Sequence, residues 1–143
     1  MHLRMVVIVI AVFLLTGCDN PGSVNVENVW VRPPAPNMQM TAAYMVIRNT
    51  TKEPRTLIQV ESQSIEVIEM HKTETIDGVS RMRQQEHVVV DANDVVTFEP
   101  GGLHLMLIGF LSPVSENSEV DFVLSWQDGS QTEITGRVTR GHP

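Results

Sequence analysis

The chain has 143 residues, of which 42% are hydrophobic, and a formal net charge of −7. This length and apolar content are sufficient for one domain whose core needs no disulfide or metal for stability. The ten Lys and Arg residues are scattered along the chain, which argues against the clustered basic surface of a nucleic-acid-binding protein, and we expect no nucleic-acid partner.

The first residues of the chain have the features of an export signal. Arg4 precedes an apolar run over 5–15, which is too short for an ordinary transmembrane helix and is typical of a secretory signal peptide. The stretch Leu15-Thr16-Gly17-Cys18 resembles a bacterial lipobox, which implies cleavage before Cys18 and acylation of this cysteine. A plain signal peptide followed by a free cysteine is the alternative.

The lipobox sets the expected organisation of the chain. We expect residues 1–17 to be a lipoprotein signal peptide, 18–24 to be the lipidated cysteine with a short tether, and 25–143 to be one folded domain. Asp19 resembles the residue that retains lipoproteins at the inner membrane in enteric-type bacteria, so we expect anchoring at the periplasmic face of that membrane. Because Cys18 is the single cysteine, its acylation leaves the domain without disulfides, cysteine nucleophiles or cysteine metal ligands.

The rest of the chain has the pattern of an all-β domain. Short runs rich in β-branched residues recur at intervals of roughly ten residues with turn residues between them, as in a sandwich or barrel. Prolines in 32–36 place a loop there, because proline cannot donate to a central strand. Asp77-Gly78 and Asp128-Gly129 predict hairpin turns of the type that needs positive φ. The predicted strands cover 24–32, 41–49, 55–62, 65–73, 80–90 (in one piece or two), 94–100, 103–110, 118–126 and 132–140.

Two chemically distinctive side chains share one face of the strand over 103–110. Side chains two residues apart in a strand point the same way, so His104 and Met106 project together, while Leu105 and Leu107 point to the other face. The spacing allows both side chains to bind one metal ion.

The hairpin at Asp77-Gly78 predicts a second pair. A symmetric turn pairs His71 with Gln84 across the two strands, which places Met82 diagonal to His71 on the same face. Met70 faces the other way and is expected in the core. The pairing depends on the turn type, because a bulge would reverse the alternation.

Two imidazoles and two thioethers form a soft, neutral ligand set. Thioether sulfur favours Cu(I), whereas structural zinc sites use cysteine, histidine or carboxylate. A blue-copper electron-transfer centre needs a cysteine thiolate, which the domain after Cys18 lacks. Reduced copper, Cu(I), is therefore the expected ligand of His71, Met82, His104 and Met106.

The spacing of these four residues resembles a known family signature. Ten residues separate His71 from Met82, twenty-one separate Met82 from His104, and one separates His104 from Met106. This pattern resembles the H-x10-M-x21-H-x-M motif of the periplasmic copper chaperones of the PCu(A)C family. The segments "VWVRPPAP", "TAAYMVIRN", "DGVSRMR" and "PGGLHLMLIGF" agree with that resemblance.

The resemblance implies a fold and an activity. It implies a cupredoxin-like Greek-key β-sandwich of about 7–9 strands that binds one Cu(I) ion. It also implies delivery of copper to a receiving oxidase subunit or assembly protein, in the assembly of cytochrome oxidase copper centres. We expect a monomer that is not an enzyme.

Two further methionines lie in the loop after the prolines. Met38 and Met40 are outside the signature and are either auxiliary metal ligands or simple loop hydrophobes, the second being favoured because methionine is versatile filler.

Two other functions are weighed against the chaperone. One is a structural or adhesive β-sandwich lipoprotein that binds no metal and whose methionines are core residues. The other is a copper-dependent enzyme, which is disfavoured because four ligands leave no open position on the metal.

Overall fold

The computed structural model describes residues 22–141, which form ten strands joined by turns and loops. The strands are β1 (Val24–Val31), β2 (Met40–Asn49), β3 (Arg55–Glu61), β4 (Ile65–Ile76), β5 (Val79–Gln84), β6 (Val88–Val90), β7 (Val95–Phe98), β8 (Leu103–Phe110), β9 (Glu119–Trp126) and β10 (Gln131–Val138). The predicted strand over 80–90 is two strands, and the all-β prediction is confirmed. No helix within 22–141 is long and apolar enough to span a bilayer. The proposed signal peptide and Cys18 lie outside the described residues.

The strands form one hydrogen-bonded sheet in the order β5-β4-β8-β7-β2-β1-β10-β9-β3-β6, with an additional pairing of β8 with β2. Most pairs are antiparallel, but β1 pairs with β10 and β7 with β8 in parallel. Leu105 on β8 and Leu124 on β9 lie far apart in this order, yet both belong to one buried cluster. The sheet therefore folds over on itself into two layers that enclose the core, as in a β-sandwich.

Alternation along the strands builds much of the core, and β9 shows it most regularly. On β9 every second residue is buried, and these residues are Val120, Phe122, Leu124 and Trp126. Burial of each such large apolar side chain stabilises the fold by roughly 1.5–3 kcal/mol relative to exposure. The inward faces of the strands therefore supply the stability, and the outward faces are available for other chemistry.

One polar side chain is fully buried at the end of β2. The Asn49 amide group donates to the carbonyl oxygens of Glu53 at 2.8 Å, Val90 at 3.0 Å and Asp91 at 3.0 Å. Its Oδ1 accepts from the Thr51 amide at 3.0 Å and from the Thr51 hydroxyl at 2.7 Å. Asn49 thus adds side-chain hydrogen bonds between two turns that one backbone hydrogen bond, from the Asn93 amide to the Thr51 carbonyl, also joins.

The two predicted hairpin turns differ. At the first, Asp77 and Gly78 have φ values of 51° and 77°, as a two-residue type I′ turn requires, so this prediction is confirmed. At the second, only Gly129 has a positive φ, of 84°. Asp128 instead accepts hydrogen bonds from the amide and hydroxyl of Ser130 at 3.0 Å and 2.6 Å, so the prediction is wrong for this residue.

Candidate metal centre

Strand β8 lies between β4 and β2, and the register of these pairings assembles the candidate site. On one side His104 is the direct partner of His71, and Met106 is the partner of Glu69. On the other side Met106 is the partner of Ala42. Because directly paired residues point to the same face of a sheet, these five side chains lie side by side on one surface.

This surface is the outer face of the sheet. Leu105 and Leu107 on β8 are buried in the core, as is Met70 on β4. Alternation then turns His104 and Met106 to the opposite face, as the sequence predicted. His104 is only 5% exposed even so, so the outer face is partly covered at this point.

Hydrogen bonds fix both imidazole rings. His104 Nδ1 lies 3.0 Å from the carbonyl oxygen of Gly102, and since a carbonyl only accepts, Nδ1 carries the hydrogen. His71 Nε2 lies 2.9 Å from Glu69 Oε2, so Nε2 donates to the carboxylate. In the neutral rings the free lone pairs are therefore on Nε2 of His104 and Nδ1 of His71.

The Nδ1 atom of His71 is buried and has no hydrogen-bond partner in the described part of the chain, 22–141. A buried polar atom without a partner costs about 1–3 kcal/mol, and such an atom in a native protein requires an explanation. The His71 and His104 rings meet edge to face with their centroids 5.8 Å apart. A buried nitrogen lone pair beside a second imidazole fits a metal-binding role.

The β4–β5 hairpin brings Met82 to the same surface. His71 pairs with Gln84 and Thr73 with Met82, which is the register expected from the turn. Met82 is 51% exposed, so its thioether is accessible.

A cleft of about 510 Å³ opens at this surface. His104, Met82 and Met106 line it, and so do both loop methionines, Met38 and Met40. The other lining residues are Arg32, Pro33, Ala35, Thr41, Ala42, Tyr44, Thr73 and Gly101. His71 is not among the lining residues; its side chain, 15% exposed, lies beside His104 on the neighbouring strand.

The donor atoms that the cleft gathers are mostly thioethers. Four methionines and one imidazole line it. Within residues 22–141, no group of three or more His, Cys, Asp and Glu side chains is placed to hold a metal ion. The set of donors present fits a soft cation such as Cu(I).

Tyr44 and Arg32 line the cleft, and the Tyr44 ring packs against Trp30, which lies outside it. The rings of Trp30 and Tyr44 have centroids 4.4 Å apart, and the Arg32 guanidinium lies 5.5 Å from the centre of the Tyr44 ring. Burial raises the pKa of the Tyr44 phenol, and the positive charge of Arg32 lowers it in part. The phenol is therefore held in its neutral form.

Two features of the site were missed from the sequence. Glu69 precedes His71 by two residues, so alternation could have placed it on the same face as a hydrogen-bond partner. The pairing of β4 with β8 has no local signal in the sequence. His87, which has no evident place in the motif, is exposed.

Solved structures with the same fold define the class of this domain. The copper-bound PCuAC domain from PmoF2 is 20% identical to this chain and superposes with a TM-score of 0.69. The alignment covers 82% of this chain and 93% of that domain. CuI-DR1885 from Deinococcus radiodurans, known from a solution structure, is 21% identical to this chain and superposes with a TM-score of 0.66. The alignment covers 88% of this chain and 84% of that protein. The fold is thus that of a PCuAC domain, which confirms the predicted cupredoxin-like class and the resemblance to the PCu(A)C family.

The family follows from the sequence comparison. The model of the family described as "Putative lipoprotein LpqE-like" matches residues 24–138, and the chain belongs to this family. The "Putative lipoprotein Lxx21020" of Leifsonia xyli subsp. xyli is 27% identical over 129 residues, which are 87% of this chain and 76% of that protein. The uncharacterized protein RP573 of Rickettsia prowazekii is 27% identical over 119 residues, 80% of this chain and 65% of that protein.

Proposed function

We propose that this protein is an exported, membrane-anchored chaperone that binds one Cu(I) ion through His71, Met82, His104 and Met106. The observation that carries the proposal is the buried, unpartnered Nδ1 of His71 on the strand paired directly with that of His104. The copper-bound state of the PCuAC domain from PmoF2, which shares the fold, supports the choice of metal.

The surrounding groups prepare the imidazoles for a metal. The Glu69 carboxylate and the Gly102 carbonyl each hold one ring nitrogen as a donor, so the other nitrogen of each ring is left as a ligand. Such outer partners typically fix the tautomer and the orientation of a ligating histidine. Binding of the ion therefore requires little rearrangement of the two imidazole rings.

The ligand set suits transport of copper rather than its use in a reaction. Four neutral ligands hold a soft monovalent ion without adding charge, and each ligand can be exchanged for one from a partner. No substrate is transformed, because a four-ligand site leaves no position for one. The copper is cargo, and the recipient is an oxidase subunit or assembly protein of the cytochrome oxidase copper centres, as the signature implies.

The proposed location follows from the lipobox. Acylated Cys18 anchors a monomeric domain at the periplasmic face of the inner membrane, and the five residues 19–23 join it to β1. The name of the LpqE-like family and that of the Leifsonia xyli relative support a lipoprotein. Anchoring raises the effective concentration of the chaperone near membrane-bound recipients.

A competition titration tests copper binding. The purified protein, kept anaerobic and reduced, is titrated with Cu(I) against a chromophoric chelator, and X-ray absorption of the loaded protein counts nitrogen and sulfur neighbours. We expect the protein to take up one Cu(I) ion that has both nitrogen and sulfur neighbours. Absence of uptake would instead support a structural or adhesive lipoprotein, and oxygen-dependent turnover would support a copper enzyme.

Location and delivery are tested in cells. We expect mass spectrometry of the membrane fraction to find Cys18 acylated, and the Cys18→Ser variant to leave that fraction. In a strain that lacks the gene, we expect reduced oxidase activity that returns with the wild-type protein or with added copper, but not with His104→Ala. Normal oxidase activity in the deletion strain would refute this recipient without refuting copper binding.

A further inference from the structure

The cleft contains more soft donors than the proposed four-residue site uses. Met38 and Met40 line the same cleft as His104, Met82 and Met106. Both are exposed, with 47% and 43% of their surface accessible to solvent. A methionine contributes roughly 1.5–3 kcal/mol when fully buried, so two exposed methionines at one cleft contribute little to the core.

The pairing of β2 with β8 explains why Met40 is beside the site. Met40 pairs with Ile108 and Ala42 with Met106, so Met40 lies diagonal to Met106 on the same outer face. Diagonal neighbours across a sheet are within reach of long side chains. The small Ala42 side chain, directly opposite Met106, lines the same cleft.

The loop from Arg32 holds Met38 at the edge of the cleft. The Met38 amide donates to the Ala35 carbonyl at 3.0 Å, and Asn37 has a positive φ of 63°. This closed turn, with Pro33 and Ala35 also lining the cleft, sets the position of Met38 at the cleft.

Building on the proposed function, we propose that Met38 and Met40 form a transfer site, a pair of thioethers that binds Cu(I) briefly as the ion passes between solvent or a partner and the four-residue site. Two thioethers are soft enough to hold Cu(I). The pair offers two donors, whereas the four-residue site offers four. The pair is therefore suited to brief occupation and the four-residue site to residence.

The first test separates the rate of transfer from the affinity. In the double variant Met38→Leu with Met40→Leu, we expect the Cu(I) affinity to stay at the wild-type value. We expect the rate of Cu(I) transfer to a chelator, followed by stopped-flow absorbance, to fall by about tenfold, or about 1.4 kcal/mol in the barrier. Met45→Leu is the matched control, because Met45 is buried in the core, and it should change neither quantity.

The second test observes the methionines directly with Ag(I), a redox-stable probe for Cu(I). With isotope-labelled methionine methyl groups, we expect the NMR signals of Met82 and Met106 to change with the first equivalent. Those of Met38 and Met40 should shift and broaden progressively as Ag(I) exceeds one equivalent.

The outcomes distinguish this inference from the proposed function. Normal Cu(I) affinity of the wild type together with an unchanged transfer rate in the double variant would refute the transfer site alone. A loss of affinity as large as that of Met106→Leu would also refute it, because the pair would then be resident ligands. A wild-type protein that takes up no Cu(I) would overturn both proposals.

Discussion

His71 and His104 are direct partners in the antiparallel pairing of β4 with β8, and their rings meet edge to face with centroids 5.8 Å apart. The two residues are 33 positions apart in sequence (104 − 71), and each is fixed by its own hydrogen bond, to Glu69 and to the Gly102 carbonyl. Because the bonded nitrogens differ, the nitrogen available to a metal is Nδ1 in His71 and Nε2 in His104.

Loss of the Met106 sulfur is expected to weaken copper binding without unfolding the protein. Leucine has a similar volume, so Met106→Leu should change the free energy of unfolding by less than about 1.5 kcal/mol. Removal of a ligand should lower Cu(I) affinity at least roughly tenfold, since even the loss of a group that only hydrogen-bonds to a metal ligand lowers metal affinity by this much. Competition titration and urea unfolding measure the two quantities, and unchanged affinity would remove Met106 from the ligand set.

Glu69 is expected to act on copper through His71. Glu69→Ala removes the acceptor for Nε2–H and frees the ring to rotate or change tautomer, so Cu(I) affinity should fall about 10–100-fold. Glu69→Gln keeps an acceptor oxygen and should restore part of the loss. Glu74→Ala is the control on the same strand, because Glu74 pairs with Lys72 at 2.8 Å rather than with an imidazole; an equal loss in this variant would contradict the role of Glu69.

Tyr44 is expected to ionise above its ordinary pKa of 10.0, because it is buried. It is the single tyrosine of the chain, so the ultraviolet absorbance of tyrosinate reports this residue alone. A raised pKa of an acid means that its contribution to stability is present below the unfolded pKa of about 10 and is lost as pH rises through the folded value. A titration midpoint at or below that of the urea-unfolded chain would contradict the buried position.

Removal of the Asn49 amide should destabilise the fold but leave the copper site intact. Asn49→Ala leaves three buried or partly buried carbonyl oxygens and the Thr51 groups without this partner, so we expect a loss of about 2–3 kcal/mol in urea unfolding. Asn25→Ala, at an exposed position on β1, should cost less than about 0.5 kcal/mol. Folded Asn49→Ala protein should bind Cu(I) with wild-type affinity, and a marked drop would show that the two regions are coupled.

Local rules were sufficient for part of the site. The type I′ turn at Asp77-Gly78 fixed the register of His71 with Met82, and alternation alone placed His104 and Met106 on one face. Both arguments involve residues joined by a single turn or strand, where geometry leaves little choice. The ligand roles of these residues stay a prediction.

The remaining features depend on contacts between distant segments. The pairing of β4 with β8 joins strands separated by three others in sequence, and no spacing rule selects it. The same holds for Met38 and Met40, whose position at the cleft follows from the pairing of β2 with β8. At Asp128 the expected positive φ is absent, and the carboxylate accepts hydrogen bonds from Ser130 instead. Rules based on the Asp-Gly dipeptide do not include such hydrogen bonds between a side chain and the nearby backbone.

Strand β5 lies at one edge of the sheet, all six of its residues are exposed, and among residues 22–141 its strand pairing is with β4 alone. Met106 and His104 belong instead to a strand held on both sides. If Met82 binds the ion as proposed, the metal bridges the edge strand β5 and the strand β8, which is paired on both sides. Local opening of β5 would then remove Met82 from the metal while the core stays folded, so release of copper would begin with the loss of this ligand.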